Sequence, residues 1–174
     1  MADSALHRLA EQVLAACRRG GLTLATAESC TGGMIAAALT DIAGSSDVVE
    51  RGFVTYSNAA KSELLAVAPS LIAAHGAVSA EVAVAMAAGA LRLAPVDLAI
   101  AVTGIAGPGG GGPAKPVGLV WFGSGRRGGT IAVESRIFAG DRAAVRLAAT
   151  QRALELLLAA ALAAPELGAT PQQG

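Results

Sequence analysis

The chain has 174 residues, 53% hydrophobic, 15% charged and 3% aromatic, with 13 basic and 13 acidic side chains. That length suits one domain with a real core, and high apolar content with little charge excludes intrinsic disorder. A formal net charge of +0 also excludes a broad nucleic-acid-binding surface, which needs a clustered basic surplus.

Ala and Gly, 42 and 22 residues, make up over a third of the chain and carry no side-chain chemistry. Of the 13 basic residues, 11 are Arg, and only Lys61 and Lys115 are Lys. The N-terminal stretch from Met1 to Leu14 has Asp3 and Glu11 among its apolar residues, which reads as a helix and not as a signal peptide. The longest apolar run, Leu156 to Ala164, falls far short of the roughly 20 residues that span a bilayer. Two Cys (Cys17, Cys30) and two scattered His (His7, His75) give neither a disulfide framework nor metal-ligand spacing. The expectation is a cytoplasmic protein without metal or cofactor.

Leu6, Leu9, Val13, Leu14 and Cys17 recur at helical spacing until Gly20-Gly21. Leu22 to Ala27 alternates as a short strand does, and Glu28 to Gly33 breaks it before a second helix from Met34 to Ile42. Val48 to Tyr56 is β-rich, and Asn58 can cap a helix reaching Val67. Pro69 and Gly76 bracket a short helix, Ser79 caps another to Leu93, and Val96 to Thr103 reads as a buried strand. After a Gly/Pro-rich loop, Val117 to Gly123 and Thr130 to Phe138 read as strands joined through Gly125 to Gly129. Asp141 caps a long last helix with Leu147, Leu154, Leu158 and Leu162 on one side. Pro165 to Gly174 reads as a flexible tail, leaving residues 1–164 as a single α/β domain with a mixed sheet of about five strands.

Gly107-Pro108-Gly109-Gly110-Gly111-Gly112 fits G-x-G-x-x-G, yet a strand follows where a dinucleotide-binding loop needs a helix. The P-loop pattern fails as well, because Lys115 lies between Ala114 and Pro116. The loop is therefore either a surface connection or a bare backbone that approaches a ligand at a strand's carboxyl end. At Glu28 to Gly33 a strand ends, Ser29 sits at the turn and a helix begins behind two glycines. Ser29 or Thr31 can simply cap that helix. Alternatively, Ser29 is a nucleophile whose oxyanion meets the N–H groups of Thr31, Gly32 and Gly33.

A serine nucleophile needs a base. His7 lies within a helical pattern and His75 precedes a glycine turn, so neither favours a Ser/His/Asp arrangement. Lys61 falls in the first turn of its helix, where the macrodipole opposes its charge, and a neutral lysine can take a proton as arginine cannot. Against this, Lys61 can merely solvate a helix. Cys30 is a competing nucleophile or a small buried residue, and Glu28 a proton donor or a partner for the lysine.

Six stretches occur in one order over about residues 5 to 160: Ala27-Glu28-Ser29-Cys30-Thr31-Gly32-Gly33, Val54-Thr55-Tyr56-Ser57-Asn58-Ala59-Ala60-Lys61, Gly76-Ala77-Val78-Ser79, Thr103-Gly104-Ile105-Ala106-Gly107-Pro108-Gly109-Gly110, Lys115-Pro116-Val117-Gly118 and Gly140-Asp141-Arg142. Together they resemble the CinA C-terminal domain family, whose stand-alone members are nicotinamide-nucleotide amidohydrolases. The resemblance implies a three-layer α/β/α fold that hydrolyses the carboxamide of nicotinamide mononucleotide to nicotinate mononucleotide and ammonia. It implies Ser29 as nucleophile, Lys61 as base and Tyr56 as an assisting hydroxyl. Thr31, Gly32, Gly33, Asn58, Thr103, Gly104, Lys115 and Arg142 would line the substrate site, with Arg142 and Lys115 on the phosphate. Longer family members carry a further N-terminal domain for which this chain has no room. A catalytically silent nucleotide-binding module of the same fold is the alternative. A small nucleotide as substrate and a homodimer are the expected partners, with no nucleic acid or membrane.

Overall fold

Leu6, Leu9, Val13, Leu14 and Cys17 form the inward stripe of helix α1 (Ala2–Gly20) in a computed structural model that describes residues 2–163. Gly21, at φ +62°, ends it in the left-handed region that glycine tolerates. The tail expected from 165 to 174 lies outside the described residues. Strands β1 (Leu24–Glu28), β2 (Val49–Val54) and β3 (Leu98–Gly104) pair in parallel, with β1 between the other two. Antiparallel β4 (Leu119–Arg126) and β5 (Ala132–Ile137) complete a sheet of order β2-β1-β3-β4-β5. The helices between these strands are α2 (Met34–Thr40), α3 (Asn58–Leu65), α4 (Pro69–His75) and α5 (Ala80–Leu93), and α6 (Arg142–Leu162) closes the fold.

Strand periodicity sorts the two faces by size. Leu24, Leu98, Ile100, Val102, Val120 and Phe122 pack into one core with α1, α2 and α6. The alternate residues Ala25, Ala27, Ala99 and Ala101 face the second core under α3, α4 and α5. Small side chains on that face let α5 lie close to the sheet. A Cβ on Gly123 would stand 2.5 Å from the Ala83 carbonyl oxygen, so no larger residue fits there. The alanine richness of the chain is thus the material of one helix–sheet interface in a three-layer α/β/α sandwich.

Several expected boundaries move. Glu28 is the last residue of β1 and not a strand break, because its backbone carbonyl still accepts from the Thr55 N–H. Ser57, not Asn58, caps α3: its hydroxyl accepts from the Ala60 N–H at 3.0 Å, and Asn58 is the first helical residue. Gly125 belongs to β4, paired with Ala99, so the hairpin turn begins at Arg127. On α6 the buried positions are Val145, Ala149, Thr150, Ala153, Leu154, Leu157 and Ala161, while Leu147 and Leu158 are half-buried and Leu162 is exposed. The helix meets the sheet through its small residues, and the leucine row lies partly to the side.

The two halves of the parallel sheet diverge at β1, which leads to β2 on one side and lies against β3 on the other. Loops that leave the carboxyl ends of β1 and β3 therefore flank a crevice at the topological switch point, where open α/β sheets bind ligands. Helix α3 reaches that crevice because α5 yields space at Gly89, where a Cβ would lie 2.1 Å from the Leu65 carbonyl oxygen. Gly89→Ala is expected to destabilise the fold by about 1–3 kcal/mol through this backbone clash, measured as a lower midpoint of urea unfolding.

Candidate active site

Ser29 follows β1 directly, and the turn that carries it is held from inside the protein by Glu28. The in-facing positions of β1 are Leu24, Thr26 and Glu28, so the carboxylate points into the layer that contains α2. There Oε2 accepts from the N–H groups of Gly33 and Ile35, both at 3.0 Å, and Oε1 from Ala36 at 2.9 Å. The Thr26 hydroxyl donates to Oε1 at 3.2 Å. A fully buried carboxylate thereby takes up the orphan donors of a helix start and meets the positive end of its peptide dipoles. Gly33, at φ +97°, permits the sharp entry that brings those amides around it. Glu28 touches neither Ser29 nor Lys61 through its side chain, so it neither donates a proton there nor holds the lysine.

Lys61 lies in the first turn of α3 and is 1% exposed. Its Nζ donates to Ser29 Oγ and to the Thr55 carbonyl oxygen, each at 3.0 Å. Among the described residues no carboxylate pairs with it, and burial pulls its ammonium pKa below the ordinary lysine value. Ser29 itself is 8% exposed. A lysine biased toward the neutral amine, in hydrogen-bond contact with a serine at a strand's carboxyl end, has the geometry that a nucleophile–base pair requires. Cys30 stands beside the pair, but burial pushes its thiol up to about 11, which keeps it protonated and unreactive near neutral pH.

The model of the CinA C-terminal domain matches residues 6–161. The chain belongs to the CinA C-terminal domain family. It is 52% identical over 157 residues to "Nicotinamide-nucleotide amidohydrolase PncC" of Escherichia coli strain K12, covering 90% of this chain and 95% of that protein. It is also 57% identical to a "CinA-like protein" of Mycolicibacterium gilvum over 137 residues, which are only 32% of that longer protein. Among solved structures, the competence/damage-inducible protein CihA from Agrobacterium tumefaciens superposes with a TM-score of 0.86 at 48% identity, covering 89% of this chain and 94% of that one. The competence damage-inducible protein A from Klebsiella pneumoniae gives 0.85 at 42%, over 88% and 95%.

In this CinA domain the other sequence candidates separate into three groups. Thr31, Gly32 and Gly33 form the turn after Ser29, but two of their three N–H groups are already committed. Gly32 donates to the Ser29 carbonyl at 3.1 Å, and Gly33 to Glu28. Thr31 is fully buried, so the expected three-amide oxyanion site does not form. The N–H next to Ser29, that of Cys30, donates to no other residue among those described and lies beside its own thiol.

Tyr56 and Arg142 form a second group at the rim. The Tyr56 hydroxyl, on a residue 59% exposed, accepts from Arg142 Nη2 at 2.5 Å and makes no hydrogen bond to Ser29 or Lys61. Arg142 Nη1 donates to the Gly107 carbonyl at 3.0 Å, which ties the glycine-rich loop to the start of α6.

The remaining candidates serve the frame. The Thr103 hydroxyl donates to the Ala77 carbonyl at 2.8 Å. Gly104 lies under β4, where a Cβ would come 2.7 Å from Val120 Cγ2. Lys115 Nζ donates to the His75 carbonyl at 2.6 Å, at the carbonyl end of α4 where a cation is favoured. Asn58 is exposed.

Sequence reasoning missed Arg146, which binds the carbonyl groups of Cys30 and Thr31. Its spacing of four from Arg142 puts both guanidinium groups on one face of α6, a signal present in the sequence. Glu28→Ala would strip three backbone N–H groups of their acceptor and is expected to destabilise by roughly 3 kcal/mol or more, with Glu28→Gln losing less, in urea unfolding.

Proposed function

We propose that this protein hydrolyses the carboxamide of nicotinamide mononucleotide, giving nicotinate mononucleotide and ammonia, with Ser29 as nucleophile and Lys61 as general base. The buried Lys61 Nζ 3.0 Å from Ser29 Oγ carries the reading, in a chain so similar to proteins named nicotinamide-nucleotide amidohydrolase. Neutral Lys61 takes the Ser29 proton as Oγ attacks the amide carbon. The tetrahedral oxyanion is met by the Cys30 N–H. Lys61, now an ammonium, returns the proton to the departing nitrogen, and ammonia leaves as the C–N bond breaks. Water then attacks the acyl ester with Lys61 again as base, which releases the carboxylate and restores Ser29.

The rim pair supplies recognition in this reading. Arg142 is exposed at the first turn of α6, where a guanidinium and free helix N–H groups converge on a phosphate, and Tyr56 orients it. Lys115, Thr103 and Gly104 support the loops that form the pocket wall. The reading includes a cytoplasmic homodimer, for which Val133 and Ile137, exposed on edge strand β5, offer apolar surface.

Ser29→Ala and Lys61→Ala are each expected to lower ammonia release from nicotinamide mononucleotide at least about 10²–10⁴-fold while the variants stay folded. Full turnover in either variant would remove the mechanism, and tight binding of the mononucleotide by wild type without ammonia release would make the protein a binding module. The base must be neutral, so kcat/KM should rise with pH along one limb whose midpoint lies below the ordinary lysine value of about 10.4. A midpoint at or above that value in a pH–rate profile would argue against Lys61.

A further inference from the structure

One cation grips the loop behind the nucleophile from the far end of the chain. Arg146 Nε donates to the Cys30 carbonyl at 3.1 Å, and Nη2 to the Thr31 carbonyl at 2.9 Å. The two acceptors belong to consecutive peptide units, and only a planar fork of donors spans them at once. The unit before them is held from the opposite direction, because the Gly32 N–H donates to the Ser29 carbonyl at 3.1 Å.

Each trans peptide is a rigid plane whose C=O and N–H point in opposite directions. Fixing the Ser29 carbonyl therefore fixes the direction of the Cys30 N–H, which shares its plane. Fixing the Cys30 carbonyl sets the next plane, so Cys30 has no freedom left on either side. Its N–H donates to no other residue among those described, lies beside its own thiol, and belongs to the residue directly after Ser29. Gly32 shows how closely the guanidinium is fitted: a Cβ there would stand 3.3 Å from Arg146 Nη2, and its φ of +60° already disfavours a side chain.

We infer that Arg146 is a positioning residue for acyl transfer, holding the Cys30–Thr31 peptides so that the Cys30 N–H meets the oxyanion formed on attack by Ser29. The inference rests on the proposed role of Ser29 as nucleophile and not on the identity of the substrate. Arg146 stays out of contact with substrate: two of its donors are committed to the loop, and it acts through the backbone that they fix. It differs in this from Arg142, whose guanidinium lies at the exposed rim.

The test compares wild type with Arg146→Lys and Arg146→Met. Thermal unfolding reports the fold, ammonia release from nicotinamide mononucleotide gives kcat and KM, and an alkyl fluorophosphonate reports Ser29 directly. In that labelling the Ser29 Oγ–P bond forms, the P–F bond breaks, fluoride leaves and Lys61 takes the proton, while the phosphoryl oxygen needs the same donor. Both variants are expected to lose about 10–100-fold in kcat with KM little changed, less than the roughly 10²–10³ of deleting an oxyanion donor outright. The labelling rate should fall in parallel.

Unchanged kcat and labelling overturn the inference. So does a raised KM with unchanged kcat, which would assign Arg146 to the substrate's phosphate. Should Arg146→Met fail to fold, Arg146→Lys decides alone, since it keeps the charge and loses the fork. Wild type that is labelled at Ser29 but releases no ammonia sinks the substrate reading, and the labelling comparison still decides the role of Arg146.

Discussion

The burial of one amine organises this molecule. An ammonium taken out of water without a carboxylate beside it is costly, and the cost falls when the proton leaves. Lys61 has a serine hydroxyl and a backbone carbonyl as its partners. Neither can neutralise a charge, and both can accept a hydrogen bond from a neutral amine. The same surroundings that make the residue expensive to fold around bias it toward the neutral amine that a general base must be. The fold meets that cost with a large amount of apolar surface on both faces of the sheet.

Much of this was legible in the sequence because the chain is chemically sparse. With only two lysines, a lysine in the first turn of a helix could be singled out, and the structure places it on Ser29. The strand–turn–helix around Ser29 was readable from the glycines that follow it. The mixed character of the five-stranded sheet followed from strands interleaved with helices and a glycine-rich hairpin joining the last two, whereas the strand order did not. Strand ends and caps moved by a few residues: pairing with Ala99 carries β4 through Gly125, and the Ser57 hydroxyl takes the cap one residue before Asn58.

What stayed hidden has a common physical cause. Sequence pattern shows which residues can hydrogen-bond but not which are already occupied. Gly32 and Gly33 looked like free donors to an oxyanion, yet the turn uses one and Glu28 the other. Glu28 looked like a proton donor because a buried carboxylate near a serine suggests one, whereas parity along β1 turns it toward the amides of α2. Thr103 and Lys115 looked like ligand groups and proved to hold neighbouring carbonyls. Arg146 could be placed on one face of α6 with Arg142 by its spacing, but its partners, 115 and 116 residues away, could not be read from the sequence.

Those long spans have a consequence for when the molecule becomes competent. The Ser29–Lys61 bond joins residues 32 apart, and the Arg146 fork reaches back 116 residues to Cys30. The base belongs to one core and the brace to the other, so the reactive geometry exists only where both cores have closed on the same loop. Contacts of such long sequence separation form late, because the chain between them must first be ordered. A nascent or partly unfolded chain thus holds an exposed, ordinary lysine and an inert serine. The geometry that joins Ser29, Lys61 and Arg146 is therefore among the last features of the fold to form, and it depends on the last helix staying docked on the Cys30–Thr31 loop.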